Sequence, residues 1–455
     1  MSDQMRHRRH FLRYAGAAPL AGLLGASLFG EAGPARAASG DYRALVVVFL
    51  NGGNDGLNSL VPTDGAHADY SAARPELSLS KNVLTPLSGS SAGHTFGLHP
   101  ALAPLAPLYN QGRLGWIANA GALVRPVTAQ QVIERSAAVP PFLLSHSDQT
   151  MWQQGWMGDS DTSGWAGRAL ELLPSALRND VGAVTMNTDR TLVLGRRSPV
   201  SFLSGWDSRY WGQADLAHPE TAAAQSLNRM AQWQFANQYE AEYARTFGRS
   251  VAESTIFTKA ALSAAEPKGD FGADDLSRNL RKLASLLPVF KRLGYKRQVF
   301  LVQWGAFDTH AAQRGTAGTS QDAQLALLGR ALAAFDQSNL AAGVDQNVVT
   351  LAMTEFGRTL RQASGGGSDH AWGNHWLALG GPVHGGQVVG TFPSLTLGGP
   401  DDADPGKGGR FVPTTSTDQV GATLMQWLGL PPEQFEAVFP NLANFSQKTI
   451  NLLRA

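Results

Sequence analysis

The stretch at 348–376, VVTLAMTEFGRTLRQASGGGSDHAWGNHW, decides how the chain is read. It opens on Val348-Val349-Thr350-Leu351-Ala352-Met353, an apolar, β-branched run of the length expected for a strand buried on both faces. The run breaks at Thr354-Glu355. That puts a carboxylate at the C-terminal lip of a sheet, where ligands bind in open α/β folds. Arg358, a Gly365-Gly366-Gly367 loop, the pair Asp369-His370 and then His375 follow in quick succession. A carboxylate, an Asp-His pair and a further imidazole so close together suit a divalent metal or an acid/base centre better than a packed core.

Two earlier runs have the same form. Residues 44–50 (ALVVVFL) break into Asn51-Gly52-Gly53-Asn54-Asp55-Gly56. There the backbone either approaches a ligand closely or makes a turn that needs positive φ. Residues 298–304 (QVFLVQW) break into Gly305-Ala306-Phe307-Asp308-Thr309-His310. Asp308 and His310 are either ligands or a helix cap beside a packed imidazole. If the three strands are parallel, their ends converge. Asn54, Asp55, Asp308, His310, Glu355, Asp369, His370 and His375 are then the candidate metal ligands. Such a set suits Zn, Mn, Mg, Ca or Fe and has donors for two ions.

Around these strands the periodicity predicts a helix over 101–111, with Leu102, Leu105 and Leu108 on one face, and a strand over 114–120. Helical patterns cover 221–253 and 276–293, so that 221–296 reads as a helical insertion or cap. An amphipathic helix over 321–339 leads into the run at 348. A capped helix over 415–430 carries Val420, Leu424, Trp427 and Leu428 on its apolar face. Strand, helix and strand in alternation argue for βαβ units. The fold class expected is α/β, a doubly wound, mostly parallel sheet flanked by helices. In Ser145-His146-Ser147-Asp148, the serine three residues before an acid has the form of a capping box. A hydroxyl at a helix N-terminus also lies in positive potential, which stabilises an alkoxide and binds anions. Ser145 is therefore read both as a cap and as a candidate nucleophile, with His146 and Ser147 competing as the reactive group and Arg358 available to an anionic substrate.

The chain has 455 residues, 43% hydrophobic and 16% charged, with 50 glycines. That composition fits a sizeable core with many loops and excludes low-complexity disorder. Residues 1–37 read as an export signal: Arg8-Arg9 before Phe11-Leu12, a Gly/Ala/Leu segment, and Ala35-Arg36-Ala37 as a small-x-small cleavage site. Taking away the signal's five arginines and two acids from 37 basic and 36 acidic residues leaves 32 against 34, a net −2. No basic patch suggests nucleic acid, and no later apolar run is long enough for a transmembrane anchor. The chain has no cysteine. This excludes disulfides, thioether haem, Fe–S clusters and a cysteine nucleophile.

The twin-arginine start together with LVVVFLNGGNDGLN, SHSDQTMWQQG, WGAFDTH and TEFGRT…GSDHAWGNHW resembles the bacterial family known as domain of unknown function 1501, from about 44 to 430. That family is placed near the alkaline phosphatase and sulfatase superfamily. The resemblance implies one alkaline phosphatase-like domain over 38–455 and a bimetal site. It also places Ser145 at the superfamily's nucleophile position, with Asp308 and His310 among the ligands. Glu355-Phe356-Gly357 stands where Asp-His-Gly is usual. The function so implied is an exported, metal-dependent hydrolase of phosphate or sulfate esters, periplasmic or secreted, carried across the membrane by the twin-arginine translocase. The alternative is a non-catalytic exported binding or assembly protein that keeps the fold. A redox metalloprotein with His-bound iron or copper is a third reading, disfavoured because hard oxygen ligands predominate in the expected set.

Overall fold

The computed structural model describes residues 41–152, 155, 161–205, 218 and 220–454. The expected signal peptide, 1–37, lies outside them. The strands are β1 (Arg43–Leu50), β2 (Leu60–Pro62), β3 (Thr85–Pro86), β4 (Phe96–Leu98), β5 (Leu114–Gly121), β6 (Ala183–Thr185) and β7 (Ser201–Phe202). After them come β8 (Arg297–Trp304), β9 (Val348–Met353), β10 (Asn374–Leu379), β11 (Val388–Val389) and β12 (Thr415–Ser416). Among the described residues the main sheet runs β11-β5-β10-β9-β1-β8-β6-β7, with β12 also on β5, and β2, β4 and β3 form a small separate sheet.

β1 lies at the centre, parallel to β8 on one side and β9 on the other. Every residue from Ala44 to Leu50 is at most 3% exposed. Val46, Val48 and Leu50 face one core, and Leu45, Val47 and Phe49 face a second. Each such side chain contributes about 1.5–3 kcal/mol by leaving water, which is why the run has no polar alternation. The first core is closed by helices Asp275–Arg292 and Gln321–Ala341, through Leu280, Leu287, Leu328 and Phe335. The second is closed by helices Trp165–Leu172 and Thr417–Leu428, through Trp165, Ala169, Val420 and Leu424. Helices thus cover both faces of a mixed, mostly parallel sheet, as the sequence predicts.

Three local expectations change. The helix read over 101–111 is a 3-10 turn, Pro100–Leu105, followed by a short helix, Ala106–Asn110; Pro104 and Pro107 have no N–H to continue a longer one. The pattern at 221–253 is two helices, Ala222–Ala231 and Gln238–Leu262, because the Asn237 side chain caps the amides of Tyr239 and Glu240 and starts the second. Arg249, Glu253 and Ile256 of that second helix line a cavity of about 830 Å³ with Val181, Gly182 and Arg297. They therefore lie where β6 and β8 begin, at the end of the strands remote from the expected site. Helix Asp275–Arg292 packs into the helical layer beside the sheet, so it is no cap either. Finally, β10 was not expected. It inserts antiparallel between β9 and β5, with a register shift at His375.

Candidate functional site

The ends of β1, β8 and β9 do converge, and backbone chemistry explains how closely. Gly52 has φ +101 and Gly53 φ +73, conformations that favour glycine. A Cβ on Gly52 would stand 2.5 Å from the amide nitrogen of Asp308, and one on Gly53 would stand 2.6 Å from the Phe356 ring. The loop after β1 therefore makes room for protein rather than for a ligand. The three-glycine loop plays a matching part. The amides of Ala312 and Gln313 donate to the carbonyls of Gly365 and Gly366, and that of Ser368 donates to Thr309. A Cβ on Gly367 would lie 2.2 Å from the His310 carbonyl carbon. Asp369-His370 is in this way pressed against Asp308–His310.

Arg358 ties these loops together. Its guanidinium donates to the carbonyls of Gly53 (2.9 Å), Gly52 (2.5 Å), Phe307 (2.9 Å) and Ser368 (2.9 Å), and to Asp308 Oδ1 (2.6 Å). It is 2% exposed. The expectation that Arg358 meets an anionic substrate is therefore corrected: its donors are turned inward, onto backbone.

The cluster centres on Asp308. His310 Nε2 and His370 Nε2 each lie 3.0 Å from Asp308 Oδ1, and His146 Nε2 lies 3.2 Å from Oδ2. The two nitrogens of His310 and His370 are 3.1 Å apart. At the far side of each ring, Nδ1 faces an oxygen: Glu355 Oε1 for His146 (3.0 Å), Asp369 Oδ1 for His310 (2.9 Å) and the Leu144 carbonyl for His370 (2.7 Å). Phe356 packs against both His370 and His146, with ring centroids 4.5 and 4.8 Å away. Partial burial pushes the Asp308 pKa up. The hydrogen bonds and charges of Arg358 and His370 outweigh it and hold the group well below the usual carboxylate range. Asp308 and His310 remain open to solvent, at 41% and 48% side-chain exposure, so the cluster is reachable.

Not all the expected residues join it. Asp308, His310 and His370 meet directly, and His146 comes in from the first position of helix His146–Met151. Asp369 and Glu355 stand behind the imidazoles. Glu355 also accepts the Gly52 amide at 2.7 Å and lies 2.8 Å from Thr354 Oγ1, so it is an anchor in this cluster. Asp55 is elsewhere: its Oδ2 takes Arg74 at 2.8 Å and Gln313 at 2.7 Å in a fully buried pair. Asn54 is buried against the Asn374 side chain. His375, also buried, accepts the Asn119 amide at 3.1 Å through Nδ1 and stacks on Phe392, and burial lowers its pKa to about 3. As metal ligands, Asn54, Asp55 and His375 are thus corrected to structural roles. Asn54 and Asp55 spend their side-chain oxygens on the scaffold, and His375 spends Nδ1 there while its buried Nε2 has no hydrogen-bond partner.

Ser145 caps helix His146–Met151, accepting the Asp148 amide at 3.4 Å, and its hydroxyl donates to Asp148 Oδ2. Sequence reasoning saw Asp148 only as a capping partner. It also missed Leu144, whose φ of +73 presents its carbonyl to His370. A non-glycine residue in that region is strained, and such strain collects at functional sites. No sequence signal marks this position. Gln149 completes the latch, accepting the Leu144 amide at 2.5 Å and donating to the Glu355 carbonyl at 3.2 Å.

A family described as "Protein of unknown function (DUF1501)" matches residues 42–404. The chain belongs to that family. No curated protein matches this DUF1501 chain. Among solved structures it is similar to the lipoteichoic acid synthase LtaP from Listeria monocytogenes, at 11% identity over 86% of this chain and 72% of that one, with a TM-score of 0.32. It is also similar to Ps i-CgsB in complex with k-i-k-neocarrahexaose, at 11% identity, 90% and 77% coverage and a TM-score of 0.34. A third is the C-terminal periplasmic domain of EcEptC from Escherichia coli in complex with Zn, at 10%, 75% and 74%, with a TM-score of 0.27. At these scores none of the three says what this protein does. Among the described residues, no helix is long and apolar enough to cross a membrane.

Proposed function

We propose that this DUF1501 protein is an exported, metal-dependent hydrolase of phosphate or sulfate esters, with Ser145 as its nucleophile. The observation that carries this reading is the open cluster of His146, Asp308, His310 and His370 at the C-terminal lip of the sheet, with the Ser145 hydroxyl one residue before His146. The donor set fits a divalent cation, since imidazole nitrogen and carboxylate oxygen are both good ligands for one. A bound cation would supply charge stabilisation to the equatorial oxygens of an ester. The chain's own residues do the rest. Asp148 holds the Ser145 proton in a hydrogen bond and is placed to accept it as Oγ attacks the phosphorus or sulfur. It then returns the proton to the alcohol that departs, after which water cleaves the Ser145 ester and restores the hydroxyl. The helix that begins at His146 adds positive potential where negative charge develops. Arg358 and Glu355 hold the strand ends and the His146 ring in register.

The arginine pair and the Ala35-Arg36-Ala37 site support export through the twin-arginine translocase to the periplasm or beyond, and the substrate would be a small anionic ester. Ser145→Ala tests the reading. In metal-loaded protein, turnover of p-nitrophenyl phosphate or p-nitrophenyl sulfate should fall at least about a thousandfold while the far-UV CD spectrum is unchanged. Equal turnover in the variant, or no turnover of either ester by the parent, overturns the hydrolase reading and leaves a binding protein.

A further inference from the structure

The Nε2 atoms of three histidines converge on one carboxylate. Those of His310 and His370 each lie 3.0 Å from Asp308 Oδ1 and 3.1 Å from one another, and that of His146 lies 3.2 Å from Oδ2. On the far side of each ring Nδ1 faces an oxygen that can accept from it: the Leu144 carbonyl for His370, Glu355 for His146 and Asp369 for His310. The rings are thus oriented from behind with their Nε2 atoms turned toward a common point, where a cation could take them as ligands.

The geometry points to a single ion of the zinc or ferrous class, held by Nε2 of His146, His310 and His370 and by the Asp308 carboxylate. This deepens the reading above and shares its need for an ion. It replaces the two hard, oxygen-bound ions expected from the sequence with one nitrogen-rich centre. Three observations support it. His146, Asp308 and His370 present ligand atoms that all lie within 4.8 Å of one another. His310 Nε2 adds a fourth donor beside that trio, 3.0 Å from Asp308 Oδ1 and 3.1 Å from His370 Nε2, close enough to share an ion with bonds of about 2.0–2.1 Å. And each ring donates its other N–H to a carboxylate or a carbonyl, the arrangement that fixes the tautomer of metal-bound histidine. With three nitrogens to one oxygen, the set suits Zn²⁺ or Fe²⁺, whereas Mg²⁺ and Ca²⁺ require mostly oxygen.

The test is metal analysis of full-length exported protein, stripped and then reloaded separately with Zn²⁺, Co²⁺, Mg²⁺ or Ca²⁺ and desalted. The expected result is one equivalent of Zn²⁺ or Co²⁺ per chain, with the visible bands of four-coordinate Co²⁺ and no retained Mg²⁺ or Ca²⁺. His310→Ala should weaken Zn²⁺ binding at least about a hundredfold; His310 is half exposed, so the fold should tolerate the change. Asp369→Asn should weaken it about 10–100-fold while keeping one equivalent. His375→Phe should leave binding unchanged. Two equivalents, a preference for Ca²⁺ or Mg²⁺, or full affinity in His310→Ala would overturn the proposal. Ester turnover with two Mg²⁺ would sink this centre and keep the hydrolase. One tightly bound Zn²⁺ without turnover of any ester would do the reverse.

Discussion

Replacing Arg358 with methionine separates a brace from a substrate ligand. The change leaves the carbonyls of Gly52, Gly53, Phe307 and Ser368 without their donor inside a site where the guanidinium itself is fully buried. A buried acceptor stripped of its partner costs about 1–3 kcal/mol. The loops relax and water enters, so the four do not add. Asp308 is 41% exposed, so the loss of its ion pair adds little after solvent screening. A loss of about 4 kcal/mol follows, roughly a thousandfold in the ratio of folded to unfolded chains. Arg358→Lys should recover only part of this, since one ammonium cannot span four carbonyls on three loops. The assay is urea denaturation in the presence of chelator, followed by tryptophan fluorescence and by far-UV CD, with coincident transitions required. If Arg358→Met stays within about 0.5 kcal/mol of the parent and instead raises KM for an ester, the brace is refuted and Arg358 is a substrate ligand after all.

Other outcomes follow from buried ionisable groups and tight turns. Burial pushes Asp418 up to about 7, so the folded protein keeps a proton that the unfolded chain releases near the ordinary 3.8. Its contribution is therefore greatest at low pH and falls as pH rises toward 7, at about 1.4 kcal/mol per pH unit, and Asp418→Asn should stabilise the protein at pH 8 more than at pH 4. His375 has the opposite sign: burial lowers its pKa to about 3, so stability is complete above about 6.5 and is lost as pH falls toward 3. The two slopes cancel between about pH 4 and 6.5. Each of Asp418→Asn and His375→Phe should uncover the other's slope in denaturation curves, and a flat profile in either would count against the assigned protonation states. Gly52→Ala combines a left-handed φ with a clash at the Asp308 amide. It should cost at least about 2 kcal/mol and weaken Zn²⁺ binding, whereas Gly65→Ala, which meets nothing within 4 Å, should change neither.

The sheet was readable in the sequence because β1, β8 and β9 are buried on both faces and so carry unbroken apolar runs. Their common direction was readable too, and with it the meeting of Asp308, His310 and His370. What the sequence hid was side-chain direction. Asp55 and Asn54 follow β1 as closely as Asp308 follows β8, yet helix capping and the buried Arg74 pair draw Asp55 back into the scaffold. Composition alone could not show that two of the oxygen donors would turn inward. The expected oxygen-rich set therefore became one dominated by imidazole. His375 misled for a similar reason: it belongs to β10, a short strand whose irregular register no pattern in 374–379 announces. The Leu144 carbonyl was out of reach of sequence, since any residue there supplies a carbonyl and only the backbone twist aims it.

The central position of β1 has a kinetic consequence. Its partners, Arg297–Trp304 and Val348–Met353, emerge about 250 and 300 residues later. At a synthesis rate of about 5–20 residues per second, the sticky segment ALVVVFL waits about 13–50 seconds with both edges unpaired, and about 15–60 seconds before its second neighbour emerges. Non-local pairing of this kind is intrinsically slow and exposed to aggregation. A nascent chain truncated before Val348 should therefore remain bound to chaperones, and release from them should mark the moment when the last parallel neighbour arrives.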